Sequence, residues 1–249
     1  PDVALQNSGG LRLEDILPAG GITDLDTRDI AAFTNIVSVM EDVTPTQFKN
    51  IIEWGVAEAP ELDGRFPQLA GVEVKYDQSR AAIQIENDEI VAEGKKVISV
   101  ILSDGTVLVS AGKVVEGAPT IDLASIDFTL NDGDAYPFSI QGLTEFTTVG
   151  TTYQQAFKNY LIAEDGLDSL VTENEYPAES DPMRVIPTTA LEANLSVDVT
   201  EAEEGETVSV TVNLSPSPEE EVEITLALAE GDQDNAELIS EGVIVSAGS

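Results

Sequence analysis

The 249-residue sequence contains no histidine and no cysteine. Histidine is the commonest general base and the commonest transition-metal ligand, so its absence excludes a Ser-His-Asp triad and any metal centre built on imidazole. The absence of cysteine excludes a disulfide framework and thiolate chemistry. These catalytic centres are therefore excluded from the chain itself.

Basic residues are scarce as well. The chain has 11 Lys and Arg against 47 Asp and Glu, which gives a formal net charge of −36. Such a surface repels nucleic acid polymers and anionic membranes, attracts divalent cations and favours solubility in a saline or extracellular setting. No stretch approaches the roughly 20 apolar residues of a membrane span. We therefore predict no nucleic acid partner, no membrane span and a secreted, periplasmic or cell-surface location.

The composition changes near residue 187. Every aromatic residue and every lysine and arginine precedes this point, and Arg184 is the last basic residue. Beyond it, short runs alternate Thr or Ser with Val, the period of half-buried strands, and polar turns separate them. We predict one domain over residues 1–186, lacking its first elements. We predict an acidic Ig-like or Calx-β-like sandwich over 187–249, truncated because such a sandwich takes roughly 100 residues. The predicted strand runs are 195–200, 207–214, 222–230 and 237–248.

The first domain mixes helices and strands. A helix is predicted over 44–60, with Thr44 as N-cap, Pro45 at the first position and an apolar face of Phe48, Ile51, Ile52 and Val56. A second helix is predicted over 152–165, with Ala156, Phe157, Tyr160 and Leu161 at core spacing. The fold class is α+β or mixed α/β, because the elements do not alternate as regular βαβ units. The strand candidates are 71–77, 81–86, 95–105 and 106–112, with a hairpin turn at 103–106.

Three stretches of the first domain are richer than a scaffold requires: 7–12 (NSGGLR), 31–35 (AAFTN) and 127–138 (DFTLNDGDAYPF). Each also has an ordinary structural explanation. The first can be a glycine turn, the second can carry a core phenylalanine, and the third can be a loop with Asx-type caps.

Taken in this order, the stretches resemble the C-terminal domain of the 5′-nucleotidase family. Residues 7–12 are similar to its Asn-Gly-Gly-Gly-Ile-Arg loop, and residues 32–35 to its Pro-Phe-Gly-Asn motif. Residues 128–136 are similar to its Phe-Leu-x-Asn-Gly-Gly-Asp-Gly-Phe signature. Residues 65–80 (RFPQLAGVEVKYDQSR) also follow a family pattern. The resemblance extends over about residues 2–186.

The resemblance implies roles for individual residues. Phe33 and Phe128 would clamp a nucleobase, and stacking contributes roughly 1–3 kcal/mol per base in single-strand binders. Asn7 and Asp134 would hold the polar groups of the nucleoside, and Arg12 would meet a phosphate through its planar fork. The predicted substrate-binding residues are Asn7, Arg12, Phe33, Asn35, Phe128, Asn131 and Asp134.

Three positions depart from the family motifs. Thr34 stands in place of the glycine of Pro-Phe-Gly-Asn, and Asp132 and Ala135 replace two glycines of the last signature. Each replacement removes the conformational freedom of a glycine. Asp132 is also expected to add a negative charge close to a bound anion.

The family further implies a catalytic domain that this chain does not contain. In that family an N-terminal metallophosphoesterase domain holds two divalent metals, whose bound water attacks phosphorus. We therefore expect no cofactor in this chain and no hydrolysis by this chain alone. The predicted function is recognition of a nucleoside or nucleotide for a secreted 5′-nucleotidase-like hydrolase. The alternative is a structural or adhesive surface protein that uses the same fold as a building block.

Acidic turns of the second domain offer hard oxygen ligands that suit Ca²⁺, although their spacing fits no EF-hand. They can equally be solvated turns. The residues concerned are Glu201, Glu203, Glu204, Asp232, Asp234, Asn235 and Glu237.

Overall fold

The computed structural model describes residues 1–13, 17, 19–163 and 184–188, together with four strands between 192 and 245. The chain divides into two compact units, Pro1–Thr188 and Thr189–Ser249. The first unit mixes helices and strands, as predicted.

The first unit contains twelve described strands and four described α-helices. The strands are β1 (Val3–Asn7), β2 (Ile36–Val43), β3 (Pro67–Ala70), β4 (Val72–Tyr76), β5 (Gln84–Glu86), β6 (Glu89–Ala92), β7 (Val97–Leu102), β8 (Val107–Ser110), β9 (Lys113–Val114), β10 (Ile121–Ile126), β11 (Thr147–Thr152) and β12 (Val185–Pro187). The helices are α1 (Asp24–Ile30), α2 (Pro45–Gly55), α3 (Asp127–Leu130) and α4 (Tyr153–Ile162).

These strands form two five-stranded sheets and a separate β5–β6 hairpin. The first sheet has the order β11-β2-β10-β1-β3, and β1 and β10 run parallel in it while the other neighbours are antiparallel. The second sheet has the order β12-β4-β7-β8-β9 and contains the predicted hairpin turn at 103–106. Strand β12 joins it parallel to β4.

Helix α2 supplies the centre of the core. Its predicted apolar face is confirmed, because Phe48, Ile51, Ile52 and Val56 are all buried. Thr44 caps the helix through a reciprocal bond with Gln47, and Pro45 opens it. The helix ends at Gly55, with Val56 as its C-cap, rather than at the predicted residue 60. Glycine is a weak helix former, and Pro60 disfavours helical backbone at Ala59.

Helix α4 begins at Tyr153, with Thr152 as its N-cap, and buries only part of the predicted face. Tyr153, Gln154 and Leu161 are buried, whereas Tyr160 is 48% exposed, so its prediction as a core residue is wrong. The helix packs on α1, β2 and β11, and this contact sets the buried face. The sequence pattern did not predict α1, and the position of α1 decides which face of α4 is buried.

The described strands of the second unit form two antiparallel pairs. One pair joins β13 (Glu192–Val197) to β14 (Val210–Ser215), and the other joins β15 (Val222–Thr225) to β16 (Gly242–Val245). Each strand overlaps one of the predicted runs. The sandwich stays a prediction, and the acidic residues proposed for Ca²⁺ lie outside the described residues.

Candidate functional site

The three motif stretches meet at one edge of the first sheet. Strands β1 and β10 are parallel, with Ala4 opposite Ala124, so both chains leave the sheet at the same edge. Strand β2 is antiparallel to β10, with Val37 opposite Ile126, and therefore enters at that edge. We call the turns 7–12, 31–35 and 127–136 at this edge the motif edge.

The turn after β1 is held by backbone contacts. The Ser8 N–H donates to the Phe66 carbonyl at 2.9 Å, and the Gly9 N–H donates to the Gly64 carbonyl at 2.7 Å. A Cβ on Gly10 would lie 2.3 Å from Gln6 Nε2 and 3.0 Å from Asn7 Oδ1, so a larger residue there would displace these side chains. The predicted glycine turn therefore exists, and it presents Arg12 to solvent.

Asn7 and Asp134 come together across 127 residues of chain. Asn7 Nδ2 donates to Asp134 Oδ2 at 2.5 Å, and Asn7 Oδ1 accepts from Gln6 Nε2 at 2.8 Å. Asn7 is only 3% exposed, whereas Asp134 is exposed. The Asn7 amide thus orients a carboxylate that faces solvent.

Phe33 and Phe128 both stand partly in solvent at the motif edge, 46% and 43% exposed. Their segments are joined by Asp127, whose Oδ1 accepts from the Ile36 N–H at 2.9 Å. The stretch 127–138 is not the loop that was predicted, because its first residues form α3. Asn131 Nδ2 donates to the Asp127 carbonyl at 2.8 Å and closes that single turn.

The residues that replace family glycines keep a glycine-like backbone. Asp132 and Ala135 have φ values of 59° and 57°, in the left-handed region, and Asp134 between them has 53°. The Asp132 carboxylate does not stand free beside the site. Its Oδ1 accepts from the Phe138 and Ser139 N–H groups at 3.1 and 2.9 Å. At Thr34 the φ is not positive, so the lost glycine is not needed there.

Three residues outside the predicted substrate-binding set hold this last turn. Trp54 Nε1 donates to the Asp134 carbonyl at 3.0 Å, and the Arg65 guanidinium lies 4.4 Å from the Trp54 ring centroid. The Tyr136 hydroxyl donates to the Arg65 carbonyl. Burial raises the pKa of Tyr136, so its hydroxyl keeps the proton that it donates.

Arg12 and Asn35 make few polar contacts with the residues described. The Arg12 guanidinium lies 5.9 Å from the Phe33 ring centroid and 3.5 Å from the Gly9 carbonyl. Within the described part of the chain it forms no ion pair. Asn35 is half-buried, and its side-chain amide has no hydrogen-bond partner among the residues described.

A cleft of about 580 Å³ opens beside the motif edge, between Arg12 and the segment 59–64. Neither Phe33 nor Phe128 is among the residues that line it. Over the described ranges, no group of three Asp or Glu residues could hold a metal ion. None of the described helices is long and apolar enough to cross a membrane.

Comparisons with known proteins give a family and a fold. The family model described as "5′-nucleotidase, C-terminal domain" matches residues 1–139. A 5′-nucleotidase precursor from Thermus thermophilus is similar in structure, with 22% identity and a TM-score of 0.56 over 75% of this chain and 31% of its own. The NAD nucleotidase of Haemophilus influenzae is similar at 18% identity, with a TM-score of 0.52 over 76% of this chain and 30% of its own. The chain thus spans about a third of the length of these relatives. No curated protein sequence matches it.

Proposed function

Because this chain belongs to the family of 5′-nucleotidase C-terminal domains, we propose that its motif edge binds a nucleoside or nucleotide as the substrate of a 5′-nucleotidase-like hydrolase. The observation that carries the proposal is the placement of Phe33 and Phe128. Two aromatic side chains stand half-exposed at one sheet edge, although apolar rings are usually buried.

Stacking is the chemistry that such rings offer. Every nucleobase presents a π-face, and stacking on an aromatic side chain is worth roughly 1–3 kcal/mol per base in single-strand binders. The hydrogen bond from Ile36 to Asp127 joins the two segments and fixes the backbones that carry the rings. Binding therefore costs little further conformational entropy in these segments.

Polar groups next to the rings suit a sugar and a phosphate. One oxygen of the Asp134 carboxylate is held by Asn7, which leaves the other to accept from a ribose diol. The Asn35 side-chain amide has no partner among the residues described, and Arg12 offers a planar fork that matches a phosphate. In the proposed site Asn7 positions Asp134, and Asn131 supports the helix that carries Phe128.

Hydrolysis is assigned to a part of the protein that this chain does not contain. We propose that a metallophosphoesterase domain with two divalent metals supplies the reaction, since this chain has no histidine to hold such a centre. The chain alone is therefore expected to release no phosphate from AMP. The net charge of −36 supports a secreted, periplasmic or cell-surface location.

The decisive experiment is a binding titration. Trp54 is the only tryptophan of the chain and bonds the backbone of Asp134, so its fluorescence reports on the proposed site. We expect adenosine and AMP to change its emission saturably. Phe33→Ala and Phe128→Ala should each weaken binding about 5- to 150-fold, the equivalent of one lost stacking contact.

The matched control is Tyr160→Ala, because Tyr160 is 48% exposed and lies about two helical turns beyond Tyr153. It should leave both affinities unchanged. A folded wild-type chain that binds no nucleoside or nucleotide at millimolar concentration contradicts the proposal. That result would instead favour the structural or adhesive function.

A further inference from the structure

Tyr153 bridges two segments of the motif edge. Its hydroxyl accepts from the Phe33 N–H at 3.0 Å and donates to the Gly10 carbonyl at 2.9 Å. The side chain is 8% exposed and packs in a small apolar cluster with Ala31 and Ile126. One hydroxyl group thus joins the turn before Arg12 to the backbone of Phe33.

Other contacts support the same arrangement. The Tyr153 N–H donates to the Asn35 carbonyl at 3.1 Å, and the Arg12 N–H donates to the Ile30 carbonyl at 3.0 Å. These bonds hold the backbones of Arg12 and Phe33 side by side. The result is the 5.9 Å separation between the guanidinium and the Phe33 ring.

We propose that Tyr153 is a positioning residue that sets the spacing between Arg12 and Phe33, an inference that rests on the proposed function. A nucleotide joins its phosphate to its base through one ribose, which restricts the distance between them. A site that binds both must hold its cation and its stacking ring at a matching separation. Tyr153 lies beyond residues 1–139, the part that the family model matches.

The chemistry of a phenol fits this position. A hydroxyl can accept one hydrogen bond and donate another, which the Phe33 N–H and the Gly10 carbonyl require together. Burial raises the pKa of Tyr153, although the Phe33 N–H and the Arg12 guanidinium act against the rise. The hydroxyl therefore stays protonated and remains a donor. Phenylalanine would fill the same space without either bond.

The test variant is Tyr153→Phe, with AMP, adenosine and ribose 5-phosphate as ligands. AMP spans both groups, whereas each smaller ligand engages chiefly one of them. We expect AMP binding to weaken about 10-fold, the equivalent of roughly 1.4 kcal/mol, and binding of the two fragments to change less. In a Phe33→Ala background the same substitution should add little further loss, because the ring that it positions is already absent.

The matched control is Thr27→Val. Gln154, the neighbour of Tyr153 on α4, donates to the buried Thr27 hydroxyl at 2.8 Å. The substitution removes a buried hydrogen bond between α1 and α4 and changes no residue of the motif edge. It should lower stability comparably and leave AMP affinity within about twofold of wild type.

A second measurement does not depend on how the variant folds. Amide hydrogen exchange in the wild-type chain should find the Phe33 N–H protected, because its acceptor is a buried hydroxyl. Unprotected exchange at Phe33, or a folded Tyr153→Phe variant with unchanged AMP affinity, overturns the inference. If the wild-type chain binds no nucleotide, the proposed function fails first and the positioning role fails with it.

Discussion

Glu53 offers the sharpest test of how the core is held together. Its carboxylate is fully buried and accepts three hydrogen bonds at 2.7 to 3.0 Å, from Lys49 Nζ and the N–H groups of Lys96 and Val97. The Lys96 ammonium turns the other way and donates to the Ala57 and Ala59 carbonyls at 2.7 and 2.9 Å. Glu53 and Lys96 together fasten the end of α2 to the start of β7.

The loss of stability on removing the Glu53 carboxylate can be worked out from its hydrogen-bond donors. Glu53→Ala leaves two buried N–H groups and the largely buried Lys49 ammonium without this acceptor. Each unsatisfied donor costs about 1–3 kcal/mol, and breaking a buried pair from one side costs about 3–5 kcal/mol. We expect Glu53→Ala to lose about 3–5 kcal/mol, a large share of the roughly 5–15 kcal/mol typical of a domain. Glu53→Gln retains one acceptor oxygen but turns an NH₂ group towards a donor, so we expect a loss of about 2–3 kcal/mol.

Urea unfolding measures both changes through the midpoint concentration and its slope. The control is Glu41→Gln, on an exposed position of β2, which should change the free energy of unfolding by less than about 0.5 kcal/mol. If Glu53→Gln is as mild as that control, the buried carboxylate does not join α2 to β7 in the way described.

Two further predictions concern backbone strain and acid stability. Ala135 has a φ of 57°, where an L-residue costs about 1 kcal/mol more than glycine, so Ala135→Gly should raise the urea midpoint while Ala92→Gly in β6 should lower it. An unchanged urea midpoint for Ala135→Gly would contradict the positive φ at this residue. Hydrogen bonds from Lys158 and then Arg28 lower the pKa of Asp24 from 3.8 to about 2. Because the folded pKa is the lower one, the resulting stabilisation is present above about pH 4 and is lost between about pH 4 and pH 2. Lys158→Met should move the Asp24 pKa, followed by NMR, back towards 3.8; an unchanged pKa would exclude the α1–α4 ion pair.

The sequence predicted those elements whose caps and apolar faces are encoded within their own residues. Helix α2 has a cap, a first-turn proline and an apolar face, all within residues 44–56, and the structure retains each of them. Helix α1 was missed although Thr23 and Asp26 form a reciprocal capping box, because the helix is short and has only one buried residue. The wrong assignment of Tyr160 to the core has the same origin, since the buried face of α4 depends on where α1 lies.

The members of the motif edge could be named from the sequence, but their contacts could not. The bond between Asn7 and Asp134 depends on the parallel pairing of β1 with β10, which joins segments about 120 residues apart. No local pattern encodes such a register, and it decides that Asn7 lies inside while Asp134 faces solvent. The role of Asp132 is local by contrast, because its carboxylate binds two N–H groups only six and seven residues further on.

Adjacent residues of α2 connect the core to the motif edge. Glu53 points inward to the start of β7, and Trp54 beside it donates to the carbonyl of Asp134. Successive residues of a helix point about 100° apart, so one helix can hold the core with one side chain and the site with the next. Because α2 is fastened at Glu53, the Trp54 indole is a fixed donor for a turn whose residues Asp132, Asp134 and Ala135 all have positive φ. The rigid core thus holds in place a backbone that its own residues would not favour, at the point where the proposed ligand meets Asp134.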